Sequence, residues 1–231
     1  MKKFALTTLA VAAAFATQAQ AAPVAPELSA SVSVANTYLF RGLDLGGAQV
    51  AADLVASVGG AYVGGWASSG DTSFGNEVDF FAGYAMDMNG LGLDVGYLSY
   101  VYPTSDIGFG DLAEVYAVLT ATTPAGLDLS FAYNHDVSND DSQQITDGEW
   151  NYMSLSAAYG QFGLTYGVFN DDACTASDVL GCTEAGLQHV DASYAYNDNL
   201  SFTVSVPVDQ DLGDVERDPT YVASLSLPIE F

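Results

Sequence analysis

The sequence predicts an all-β fold, an antiparallel transmembrane β-barrel of about 12 strands with short periplasmic turns and longer extracellular loops. Three observations predict it. Apolar residues recur at every second position in runs of roughly ten residues, the length a tilted strand needs to cross a bilayer. The connections between runs alternate between short and long. The 231 residues carry 29 acids against 4 basic residues, and the alternation places no acid on the apolar face of a run.

The first residues read as an export signal. Lys2 and Lys3 form a positive n-region, Phe4 to Ala16 an apolar h-region, and Ala19-Gln20-Ala21 an A-x-A cleavage site. Residues 1–21 are expected to be removed, 22–30 to form an N-terminal periplasmic segment, and 31–231 to form the barrel. The mature chain then holds Arg41, Arg217 and no lysine against all 29 acids.

Twelve alternating runs follow. Their apolar faces begin with Val32, Val34, Tyr38 and Phe40, where Asn36 interrupts the pattern. The second is Val50 to Val58, and the third, weakened by Gly64 and Gly65, is Tyr62, Gly64 and Trp66. Next come Val78 to Met86, Leu91 to Val101, Ala113 to Leu119 and Leu127 to Tyr133. The last five are Met153 to Tyr159, Phe162 to Val168, Val190 to Tyr196, Leu200 to Val208 and Tyr221 to Phe231. Short turns fall at Gly59-Gly60, 87–90, 123–126, Gly160-Gln161 and 197–199. Longer segments fall at 42–48, 69–76, 103–111, 136–149, 170–186 and 209–220. An even strand count puts both termini on the periplasmic side, as an exported barrel needs. Phe231, a C-terminal aromatic on the apolar face of the last strand, is the expected recognition signal for the barrel-assembly machinery.

Composition excludes other classes. A chain this acidic has no basic footprint for nucleic acid and no polybasic patch for anionic lipid. At 49% hydrophobic and 12% aromatic residues it is too apolar for simple disorder. A soluble sandwich would also alternate, but aromatic residues gather near strand ends here, as interfacial girdles require. Cys174 and Cys182 are expected to form a disulfide in the oxidising compartment beyond the inner membrane, stiffening one outer loop.

The acids carry the functional expectation. Eighteen lie in the six long segments. Seven lie within runs and by parity face the lumen: Asp53, Glu77, Asp79, Asp94, Glu114, Asp128 and Asp191. Only Arg41 and His189 are candidate inward partners, so water and mobile cations are expected to balance the rest. Small inward residues such as Ser31, Ser33, Gly83, Gly96 and Gly167 are expected to leave room. A barrel of this strand number lies between packed eight-stranded and wide sixteen-stranded barrels, which suggests a narrow pore lined by these residues. A ring of carboxylates favours cations.

These segments resemble the TorF family of proposed porins. The matching residues are Phe40-Arg41-Gly42, then Tyr62, Gly64, Trp66 and Ser68, then Glu77 to Tyr84, Asp94 to Tyr97 with Tyr100, Tyr102 and Pro103, and Ala113 to Tyr116. The resemblance covers about residues 30–120. It implies an outer-membrane barrel and a proposed pore, and supplies neither a solute nor catalytic residues.

The expectation is therefore a porin in the outer membrane of a Gram-negative bacterium, passing small solutes or cations and surrounded by lipid and lipopolysaccharide. No cofactor, catalytic residue or metal-ligand cluster is expected. One alternative is a closed barrel whose lumen acids hydrogen-bond to Tyr100, Tyr116 and Ser/Thr groups. Its function would be structural or a calcium-dependent binding or adhesion through the acidic loops. The remaining alternative is a barrel hydrolase. It would use His135, in Asn134-His135-Asp136, or His189, two residues from Asp191 at the rim.

Overall fold

The computed structural model describes residues 25–70, 75–139, 150–169, 187–208 and 218–231. The signal segment 1–21, the Cys174–Cys182 pair and most of the last three long loops lie outside these residues. All described elements are strands. The barrel consists of β1 (Glu27–Ala35), β4 (Gln49–Val58), β5 (Ala61–Gly70), β6 (Glu77–Asp87), β7 (Leu91–Tyr102), β8 (Ile107–Thr122), β9 (Asp128–Asp136), β10 (Asn151–Tyr159), β11 (Phe162–Phe169), β12 (Gln188–Ala195), β13 (Leu200–Pro207) and β14 (Thr220–Ile229). A small hairpin, β2 (Leu39–Phe40) and β3 (Leu43–Asp44), stands apart from it.

Each barrel strand pairs antiparallel with its chain neighbours, and β1 closes the ring by pairing with both β4 and β14. Closure leaves no unpaired edge. β1 already pairs at Glu27, opposite Ser57. The barrel therefore begins within the segment 22–30 that was expected to precede it. The 103–111 connection is also mostly strand. β7 and β8 continue past a register shift at Tyr100/Tyr102, and Tyr102 pairs with Ile107.

The outward faces follow the alternation in every barrel strand but one. Leu54, Phe80, Leu155, Leu164 and Phe202 stand exposed on the outside. Aromatic residues gather at both ends. Tyr84, Tyr159, Phe162, Tyr194 and Tyr196 sit beside the short turns, and Phe109, Tyr133, Tyr166 and Tyr221 lie towards the long loops. The exception is β5. Tyr62, Gly64 and Trp66 face inward, and Ala61, Val63 and Ala67 face outward. Both faces of this strand are apolar, so its period does not say which side is in. The ladder decides, because Trp66 pairs with Asp53 and Asp79 and must share their side.

The run Val32–Phe40 is also split. Asn36 ends β1 by clamping onto β14. Its Nδ2 donates to the Tyr221 carbonyl at 2.9 Å, and its Oδ1 accepts from Ala223 N at 2.6 Å. The chain then turns into the lumen as the β2–β3 hairpin, so Tyr38 and Phe40 do not reach the outer face. Tyr38 N donates to the Gly46 carbonyl at 2.9 Å and Leu45 N to the Tyr38 carbonyl at 2.8 Å. Arg41 and Gly42 form the tip, both at positive φ (49° and 83°), the pattern of a type I′ turn. Rings and side chains from several walls surround the hairpin. Tyr38 packs on Trp66 of β5 and Phe40 on Tyr100 of β7. Tyr38, Leu43 and Leu45 are buried with Leu112, Tyr152, Phe169 and Leu187 in one apolar cluster.

Inward glycines do not leave open space. Tyr62, Gly83, Gly96 and Tyr116 form one row across β5–β8. The two tyrosines fold over the two glycines, and their hydroxyls hydrogen-bond to each other. Gly167 is covered in the same way by Tyr152 and His189. The expected lumen room at Gly83, Gly96 and Gly167 is filled by rings. Small residues remain partly open to solvent on another part of the wall: Ser31 and Ser33 on β1, Thr203 on β13, and Ser224 and Ser226 on β14.

Alanine at Gly96 would place its Cβ on the Tyr116 ring and 2.8 Å from the Ala82 carbonyl. Gly96→Ala is expected to destabilise the barrel by about 1–3 kcal/mol, measured by urea unfolding in lipid vesicles. Gly65→Ala, whose Cβ would come no closer than 3.3 Å to the Asp79 carbonyl, is expected to cost less.

Candidate functional site

The lumen brings together most of the predicted residues, but in separate, internally paired groups. The strongest is built by the hairpin. Arg41 is the sole Lys or Arg among the described residues. Its Nη1 and Nη2 donate to the two carboxylate oxygens of Glu114, on β8, at 2.7 and 2.8 Å. Glu114 is fully buried and Arg41 is 12% exposed. The guanidinium also lies over three rings: Tyr152 at 4.6 Å, Phe40 at 4.8 Å and Trp150 at 5.3 Å. A bidentate pair uses the planar fork of arginine, and the π faces take up the remaining positive field.

The second group is on β10–β12. Nδ1 of His189 lies 2.8 Å from Asp191 and Nε2 lies 3.0 Å from the Tyr152 hydroxyl. Asp191 and the Tyr152 hydroxyl thus hold the two ring nitrogens between them. Gly42 at the hairpin tip packs against the imidazole, where a Cβ would overlap it. Both ring nitrogens are engaged and the residue is buried, so His189 is not at an open rim as expected. His135 faces outward, stacked on Tyr133, with Nδ1 2.7 Å from Asn151 Oδ1. Asp136 next to it points inward, so the two do not form a pair. Neither histidine presents a free nitrogen beside a nucleophile in this arrangement.

The remaining acids differ in environment. The Tyr62 hydroxyl donates to Asp94 at 2.7 Å. Tyr102 donates to Glu77 at 3.0 Å. The Ser31 hydroxyl donates to Asp53, which keeps partial exposure. Asp128 is exposed near a short turn and accepts from Thr122 Oγ1 at 2.6 Å. Asp79 is buried beside Glu77, and neither of its oxygens accepts from a hydroxyl, amide or guanidinium donor.

Sequence reasoning missed Asp136, assigned to a loop but placed on the inward face of β9 opposite Glu114. It also missed the interior roles of Tyr38, Tyr62 and Tyr152, since alternation does not say which aromatic faces inward. The available signals were Asn36, which breaks the first run, and the Arg41-Gly42 pair, a plausible tight-turn dipeptide.

The family comparison reaches most of the chain. Residues 18–210 match a family described as a bacterial protein of unknown function, Gcw_chp. The chain belongs to the Gcw_chp family. That description assigns no activity to Gcw_chp proteins, and the TorF name is not part of it. No match is found among curated proteins. Among solved structures, this Gcw_chp chain is similar to the KdgM porin, with a TM-score of 0.49 and 8% identity over 89% of this chain and 99% of that one. It is also similar to outer membrane phospholipase A from Escherichia coli, with a TM-score of 0.43 and 13% identity over 88% and 97% of the two chains. These likenesses say nothing of function.

Removing one partner of a buried ion pair strands the other charge. Arg41→Ala is expected to cost about 3–5 kcal/mol, read from denaturant unfolding. Adding Glu114→Gln to Arg41→Ala is expected to recover part of that loss, because the stranded carboxylate is then gone.

Proposed function

We propose that this chain is an outer-membrane porin of the TorF type, exported by the signal at 1–21 and giving small solutes, cations preferred, passive passage. One observation carries the reading. The closed barrel turns a belt of exposed apolar side chains outward between two sets of aromatic residues, while Glu77, Asp79, Asp94, Glu114 and Asp191 are buried. An outside of this kind matches a bilayer with aromatic residues at its interfaces. The excess of 29 acids over the two arginines left after residue 21 has the sign that draws cations towards an aperture. Asp53 and Asp128, which keep solvent contact, act on passing ions, and the β2–β3 hairpin is the constriction. Lipid and lipopolysaccharide surround the belt. Phe231, exposed two residues past β14, is the residue offered to the assembly machinery. A Cys174–Cys182 bridge stiffens its loop.

One observation favours a second reading. Glu77, Asp79 and Glu114 are each no more than 2% exposed, as in a barrel that is shut at the hairpin and acts structurally or through its acidic loops with Ca²⁺.

The barrel refolded into a planar bilayer under a KCl gradient is expected to pass current with a reversal potential shifted towards that of potassium. Asp53→Asn with Asp128→Asn is expected to reduce that shift, and Arg41→Ala to raise the single-channel conductance by loosening the hairpin. Folded barrel that passes no current, with or without Arg41, would favour the second reading. The belt has its own test. Leu164→Arg, placed on the outward face, is expected to cost about 2–4 kcal/mol of folding stability in lipid, measured by denaturant titration.

A further inference from the structure

Beside the hairpin, three adjacent strands leave buried polar atoms without partners. They are both carboxylate oxygens of Asp79, the Ser68 hydroxyl and the Tyr100 hydroxyl. Their residues are 1%, 6% and 2% exposed. The register collects them on one inward patch. Asp79 of β6 lies directly opposite Tyr100 of β7 and Trp66 of β5. Glu77, two residues away on the same face, lies directly opposite Ser68. Glu77 is buried too, with Oε1 held by Tyr102. The one guanidinium among the described residues is committed to Glu114.

Two buried carboxylates without a cation are strongly disfavoured, and so is an unpartnered buried hydroxyl. The donor set is oxygen only, which selects a hard cation over a thiophilic or imidazole-seeking one. Two carboxylates match a double positive charge. Flexible side chains from three strands suit the six to eight oxygen ligands at variable angles that calcium takes, better than the strict octahedron of magnesium. We propose that Glu77, Asp79, Ser68 and Tyr100 form an internal binding site for one divalent cation, with Ca²⁺ preferred to Mg²⁺. The ion ties β5, β6 and β7 together at the foot of the hairpin, where Tyr38 packs on Trp66. Among the described residues no group of three His, Cys, Asp or Glu side chains is placed to hold a metal. Half of this ligand set is hydroxyl, from Ser68 and Tyr100. The site does not depend on whether the barrel conducts.

The test uses the full folded chain in detergent, stripped of metal and titrated with CaCl₂, MgCl₂ or TbCl₃. Trp66, opposite Asp79, serves as the sensitiser of terbium emission. Wild type is expected to bind one calcium more per barrel than Asp79→Asn or Glu77→Gln, whatever the acidic loops bind. Calcium is expected to raise the unfolding temperature of wild type and not of these variants. Ser68→Ala is expected to weaken binding by roughly tenfold, and it carries the comparison should the acid variants fail to fold. Equal calcium stoichiometry in wild type and folded Asp79→Asn would overturn the site. So would a wild-type unfolding temperature indifferent to both calcium and chelator, with a proton shared between Glu77 and Asp79 as the occupant instead. Equal affinity for Mg²⁺ would overturn the calcium assignment.

Discussion

The bidentate contact between Arg41 and Glu114 is the constraint on which the interior depends. Glu114 is fully buried and Arg41 is the sole Lys or Arg among the described residues. Satisfying that carboxylate requires the arginine to be brought to it. The chain does this by leaving the barrel wall at Asn36 and placing Arg41 at the tip of a hairpin, in a left-handed conformation that costs about 1–2 kcal/mol for a residue with a side chain. Gly42 completes the turn and is small enough to lie against His189. The tip thus touches two walls at once, Glu114 on β8 and His189 on β12. Two of the polar groups of the lumen, Arg41–Glu114 and Asp191–His189–Tyr152, thus meet at the hairpin tip.

Around that contact the interior is filled unevenly. On β5–β8, tyrosines lie over glycines, and Tyr62 and Phe81 join Val55 and Ala85 in a second apolar cluster. Above it the hairpin, Tyr100, Tyr152 and Phe169 form the first cluster. The wall of β1, β13 and β14 carries serine and threonine with partial exposure. A ring over a glycine removes the void beneath it and brings a hydroxyl into reach of a neighbour, as Tyr62 reaches Asp94. The same substitution pattern therefore closes space and satisfies charge. The wall of β1, β13 and β14 is the part of the interior that these rings leave partly open.

The outer and inner faces answer to different solvents. Outside, Leu, Val, Phe and Tyr stand exposed because an apolar medium is the solvent that suits them. Inside, most acids are answered locally: Glu114 by Arg41, Asp191 by the His189 imidazole, Asp94 and Glu77 by tyrosine hydroxyls, Asp53 by Ser31, Asp128 by Thr122 and Asp136 by Ser138. Asp79 is the exception, and its lack of a partner is what makes the adjoining Glu77, Ser68 and Tyr100 a place for an ion.

Sequence alone determined the barrel, its strand count and, outside β5, which face of each strand turns outward. These follow from a period of two over about ten residues and from the cost of charge on an apolar face, both of which are local. Only the tertiary structure decided three things. It set which side of β5 faces inward, because an apolar strand on both faces takes its sense from the register with Asp53 and Asp79. It sent Tyr38, Phe40 and Arg41 into the lumen, because a hairpin's destination depends on what waits there, namely Glu114, Trp150 and Tyr152. It turned small residues from open space into seats for rings, because a glycine records only the absence of a side chain and its neighbours across the sheet decide what takes that place.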